Sequence, residues 1–160
     1  MSTDLRWPAP PDEVVGARLD EDFLAAVARR TGALDHEVRV DGLRTTVRRV
    51  MPTDRFPDFA RRLAGDRLTL VETTTWAPDP TATGGRTGVV ELEVDGAPLR
   101  ARFTTALEPS AGDGTVEQVR GEVVARVPIV GGRIEKAVVP ALEAAMAAQV
   151  DIFEERRGRG

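Results

Sequence analysis

The chain reads as an α+β domain in which one long C-terminal helix lies across a curved antiparallel sheet. Three observations predict this. Alternating apolar and polar runs fill the middle of the chain, the pattern of half-buried strands. One amphipathic stretch, residues 133–157, closes the sequence, and no other segment offers a helix of that length. A Pro128 and Gly131-Gly132 break separates it from the preceding strand-like run, 117–127. Consecutive antiparallel strands with segregated helices define the α+β class, and a lone long helix buries its apolar stripe most simply against a sheet.

Composition narrows the function classes. With 160 residues, 41% of them hydrophobic and 30% charged, the chain reads as one globular domain, 1–160, with residues from about 155 to 160 as a flexible tail. A net charge of −4 argues against nucleic acid as a partner, since phosphate neutralisation needs a basic face. There is no cysteine and only one histidine, His36. Disulfides, thiolate chemistry and multi-histidine metal sites are therefore excluded within one chain, and no metal or cofactor is expected. Without an apolar signal core or a membrane-length apolar run, the expectation is a cytoplasmic protein, a monomer or weak homodimer, without integral membrane association.

The elements follow in order. Leu5 and Trp7 alternate with polar residues and predict a short first strand. Pro10, Pro11, Asp12 and Glu13 start a helix, with proline in its first turn and acids at the positive end of its dipole. Asp20 caps a second helix carrying Phe23, Leu24 and Val27, which Gly32 ends. Asp41-Gly42 between 34–40 and 43–50 is a hairpin signal, pairing Val40 with Leu43, Val38 with Thr45 and His36 with Val47. Phe56, Phe59, Ala60 and Leu63 follow helical spacing within 52–65. Strand patterns resume at 68–76, 88–94 and 99–107. Around Asp95-Gly96, Val94 pairs with Ala97 or, in a longer loop, with Leu99. Val116 and Val119 cannot both face inward in an uninterrupted strand, which predicts a bulge there.

Two segments carry a family resemblance: Pro8-Ala9-Pro10-Pro11-Asp12-Glu13-Val14 after a short strand, and Val127-Pro128-Ile129-Val130-Gly131-Gly132-Arg133-Ile134-Glu135 before the terminal helix. The chain resembles the START-like superfamily of lipid-transfer and polyketide-cyclase-like proteins over nearly its whole length. Within it, the chain is most similar to an uncharacterised, mainly actinobacterial family. The resemblance implies the helix-grip fold, a sheet of about seven strands around the C-terminal helix. It also implies a cavity between the two, but no catalytic residues.

The terminal helix bears Ile134, Val138, Leu142 and Met146 on one stripe, among alanines that either allow close contact with the sheet or leave empty volume beneath the helix. Trp76, Leu92 and Phe103 share the inward face of the strands, so these seven residues form the expected wall of an apolar chamber. His36, Arg49 and Glu72 have the same inward parity as apolar neighbours and could orient a ligand's polar end. Phe56, Phe59 and Leu63 form the expected gate. Pro140 should kink the helix. The reading that follows is a protein binding an apolar small molecule such as a lipid, isoprenoid or polyketide-like compound. The alternatives are a cyclase- or dehydratase-type enzyme using His36 or Glu72, and a protein-interaction domain with a filled core.

Overall fold

The computed structural model describes residues 1–159. The chain runs β1 (Ser2–Trp7), α1 (Pro11–Arg18), α2 (Glu21–Arg30), β2 (Asp35–Asp41), β3 (Arg44–Pro52), α3 (Asp58–Ala64), β4 (Arg67–Trp76), β5 (Arg86–Val94), β6 (Leu99–Ser110), β7 (Gly114–Ala125) and α4 (Gly131–Gly158). All strands lie in one antiparallel sheet ordered β1-β7-β6-β5-β4-β3-β2. The long connection from β1 through α1 and α2 places the first and second strands at opposite edges, and α4 crosses the sheet between them.

Local chemistry explains the short helices. Pro11 opens α1, with Asp12 and Glu13 in its first turn. The Asp20 side chain accepts a hydrogen bond from the Asp22 amide at 2.9 Å and caps α2. The β2–β3 hairpin differs from its sequence prediction by one residue at each end of the turn. Gly42 and Leu43 form the turn, and Asp41 stays in the ladder opposite Arg44. A turn with glycine first needs positive φ only there, and Gly42 has φ 59°. The shift preserves the parity of every side chain but sets His36 opposite Arg49 and Val38 opposite Val47. At the β5–β6 turn the longer loop holds, with Glu93 opposite Arg100.

β7 corrects a second expectation. Its register with β6 is unbroken from Gly114 to Ala125, with no bulge. Val116 turns outward, while Thr115, Glu117, Val119, Val123 and Ala125 are buried on the concave face. The strand thus keeps its period of two by burying a glutamate.

The interior divides into two regions. At one end, Trp7, Val14, Phe23, Val27, Trp76, Leu107, Ile152 and Phe153 form a solid core between α1, α2, the end of α4 and the sheet. Trp7 and Phe153 meet edge to face at 5.4 Å. At the other end, Leu92, Ala101, Phe103, Val119 and Val123 are buried on the sheet, but the helix residues above them are only half-buried.

That asymmetry shows along α4. Its buried residues are Gly131, Ile134, Ile152 and Phe153, all near its two ends. The helix starts two residues earlier than expected, taking in both glycines, and continues through Pro140. Residues 155–158 are helical, in place of the expected tail. Glu155 bonds Arg30 at 2.7 Å and Arg157 bonds Glu13 at 2.6 Å.

Gly121, opposite Phe103, is a point of close approach. A Cβ there would collide with the Arg102 carbonyl oxygen and the Phe103 ring. Gly121→Ala is expected to cost about 1–3 kcal/mol through strain at this contact, measured by urea denaturation against wild type.

Candidate functional site

Between the half-buried middle of α4 and the concave sheet lies a cavity of about 990 Å³. Apolar side chains form most of its wall. Leu92 and Phe103 rise from β5 and β6, and Ile134, Val138, Leu142 and Met146 descend from α4. The alanines at 137, 141, 144, 145 and 148 also border it; their short side chains leave the volume unfilled. Such a volume lies at the upper end of the ~300–1,000 Å³ common for small-molecule sites.

Two ion pairs are set into the wall, beside the buried Thr45 and Thr74, while Arg30, Asp54, Arg55 and Arg126 stand exposed at the rim. The first is a knot around Glu117, a residue 1% exposed. Arg18, the last residue of α1, donates to both its carboxylate oxygens, at 2.7 and 2.9 Å. Trp7 Nε1 donates at 2.8 Å and Thr105 Oγ1 at 2.5 Å. The Arg18 guanidinium also lies 4.9 Å from the Trp7 ring and 5.7 Å from the Trp76 ring. Arg18, Thr105 and Glu117 border the cavity, so the knot forms its floor towards the solid core.

Burial pushes the Glu117 carboxyl up. The Arg18 charge and the hydrogen bonds from Arg18, Thr105 and Trp7 outweigh that push and hold it below the ordinary glutamate value. A depressed folded-state pKa adds stability above the unfolded value of about 4.3, and that stability is lost as pH falls through the folded value.

The second polar feature is the pair Arg49–Glu72, at 2.7 Å, on adjacent strands β3 and β4. Arg49 faces Leu70 and Glu72 faces Val47, so the two are diagonal neighbours on the inner face. Their side chains are 8% and 21% exposed, and both border the cavity. A single hydrogen bond, from Arg49 Nη2, joins them, and Arg49 Nε is buried with no partner.

Three sequence-derived candidates stand elsewhere. Trp76 faces inward but is buried in the solid core beside Arg18, beyond the floor. His36 is half-buried opposite Arg49 on the edge strand β2, outside the residues bordering the cavity; an edge position carries it past the wall. Phe56 and Leu63 border the opening, but Phe59 turns away from it and lies under the Arg133 guanidinium at 4.2 Å. That contact joins α3 to the first turn of α4. α3 itself has no buried residue.

The knot of Arg18, Thr105 and Glu117 escaped the sequence reading. Its signal was a charged residue at inward parity in β7, in phase with Val119 and Val123, which an assumed bulge concealed. Arg18 likewise follows Val14 and Val15 on the buried face of α1.

A curved seven-stranded antiparallel sheet gripping a long terminal helix over a cavity is the START-like helix-grip fold. The chain belongs to the family described as protein of unknown function (DUF2505), whose profile matches residues 2–156. Similar solved structures include the Zhui aromatase/cyclase from Streptomyces sp. R1128, at TM-score 0.64 and 12% identity, covering 99% of this chain and 93% of that one. Norcoclaurine synthase from Thalictrum flavum, in complex with dopamine and hydroxybenzaldehyde, aligns at TM-score 0.63 and 14% identity over 100% and 87% of the chains. A START superfamily protein from Mycobacterium smegmatis aligns at 0.57 and 14%, over 94% and 96%. At these identities the likeness is one of fold. No curated protein matches the sequence. No helix among the described residues is long and apolar enough to cross a membrane.

Glu117→Gln keeps the shape of the knot and leaves the buried Arg18 charge uncompensated. It is expected to lower the unfolding free energy at pH 7 by about 3–5 kcal/mol. The variant should also lose part of the wild type's destabilisation below about pH 4.3. Chemical denaturation across a pH series measures both effects.

Proposed function

We propose that the protein binds an apolar small molecule, a lipid, isoprenoid or polyketide-like compound, in the cavity between sheet and α4. The observation that carries this reading is the unfilled volume of about 990 Å³ beneath a helix whose apolar stripe is only half-buried. Leu92, Phe103, Ile134, Val138, Leu142 and Met146 supply the binding wall. Affinity comes from removing apolar surface from water, worth about 25 cal/mol per Å² before ordering costs are subtracted. The volume disfavours the alternative of an interaction domain with a filled core.

Entry passes α3. This short helix lacks buried residues and borders the cavity through Phe56, Ala60 and Leu63. Leu63 is exposed and is available to cover an occupant. The Phe59–Arg133 contact acts as the latch between α3 and α4. Arg49 and Glu72 hold the ligand's polar end.

The test is a cavity-filling substitution on α4. In a packed core, Val→Phe costs about 1–3 kcal/mol; over an empty chamber it should cost little. Val138→Phe is expected to leave the urea midpoint within experimental error while weakening binding of the neutral apolar dye Nile red by at least about 10-fold, as displaced apolar contact requires. A strongly destabilised variant, or unchanged dye affinity, would contradict the reading. Mass spectrometry of organic extracts from protein purified from its native host then identifies the occupant.

A further inference from the structure

The charges around the cavity define which apolar molecule fits. Eight ionisable side chains border it: Arg30, Asp54, Arg55 and Arg126 stand exposed at its rim, and the four inside form two opposite-charge pairs, Arg18 with Glu117 and Arg49 with Glu72. The interior therefore carries no net charge, and neither guanidinium is free to neutralise an incoming acid. A ligand carboxylate would enter beside two existing carboxylates, at the cost of its own desolvation.

The pairs differ in what they leave open. Glu117 receives hydrogen bonds from Arg18, Trp7 and Thr105, and both of its oxygens are engaged. Its carboxylate offers a ligand little, although Arg18 Nε, like Arg49 Nε, is buried without a partner. The Arg49–Glu72 pair is joined by one hydrogen bond, between Nη2 and Oε2. Arg49, although more than nine-tenths buried, has a second amino group outside that bond, and Glu72 a second oxygen. A donor and an acceptor thus stand side by side in an apolar wall between Val47, Leu70 and Leu92. A hydroxyl group is the small neutral function that accepts from one and donates to the other at once.

We infer that the ligand is an uncharged, hydroxyl-bearing apolar molecule, an alcohol or phenol, whose hydroxyl sits on the Arg49–Glu72 pair, and that the cavity discriminates against free carboxylic acids. This specificity rests on the apolar-binding reading above and sharpens it to one chemical class.

Nile red displacement by three probes of matched size tests it: 1-decanol, its isomer 1-methoxynonane, which accepts but cannot donate, and decanoate at about pH 8, where the acid is ionised. On the wild type, decanol should displace the dye at a concentration at least about 10-fold below that of decanoate, and below that of the ether. Glu72→Gln removes the compensating charge and leaves Arg49 free, so the decanol-to-decanoate preference should shrink at least about 10-fold or invert. Replacing both members, with Arg49→Met and Glu72→Met, should erase the advantage of decanol over the ether, each displacement being referred to the variant's own dye affinity. Decanoate binding the wild type as tightly as decanol, or a preference unmoved by Glu72→Gln, overturns the assignment while the apolar cavity stands. Failure of Nile red to bind the wild type at all overturns both.

Discussion

The buried salt bridge between Arg18 and Glu117 is the interaction on which the rest of this structure depends. A carboxylate buried on a concave sheet face would be ruinous alone, because an unpaired buried charge costs several kcal/mol. Here it is met by a guanidinium from the end of α1, an indole from β1 and a hydroxyl from β6. The carboxylate therefore fixes how α1 and the first strand meet the last two strands. On one side of this partition the side chains close into a solid core around Trp7, Trp76 and Phe153. On the other the same sheet remains uncovered, and α4 bridges the space. Hollow and solid halves are two outcomes of one boundary.

Much of this was legible in the sequence because strand and helix periods are local properties. The inward face carrying Leu92 and Phe103, and the stripe from Ile134 to Met146, follow from spacing alone. The inward parity of Arg49 and Glu72 follows as well, but their diagonal pairing comes from the β3–β4 register. What could not be read depends on distance across the fold. Glu117 could be accepted as buried only if its partner Arg18 was known to reach it, 99 residues away in the chain. Trp76 has the parity of a cavity residue, but its position along the strand puts it beyond the floor. His36 has the right parity too, yet lies on an edge strand past the reach of the chamber. Phe59 fits the helical spacing of a gate residue, and the Arg133 side chain holds it elsewhere. Parity gives the face of an element; depth along that face comes from tertiary packing.

The relatives in fold put the Arg49–Glu72 pair in perspective. An aromatase/cyclase and a norcoclaurine synthase share this architecture at 12% and 14% identity. A fold retained at that distance specifies a container, and chemistry belongs to the few polar groups set into its wall. In this chain the open groups are an arginine and a glutamate that neutralise each other, with the only histidine outside the chamber. The sheet supplies volume, and the two strands carrying Arg49 and Glu72 set an ion pair into its wall.

The way α4 is fixed at its ends and left half-buried between them has an evolutionary consequence. In most cores a change in side-chain volume is opposed by close-packed neighbours, so size and stability vary together. Along residues 137–148 of α4 the inner surface borders empty space instead. Mutations there can enlarge, shorten or reshape the chamber while Ile134, Ile152 and Phe153 keep the helix docked. Pro140 sits within this span, which meets the sheet only through half-buried side chains such as Val138, Leu142 and Met146. The middle of the last helix is thus the stretch where this domain can change the volume it encloses with the smallest loss of stability.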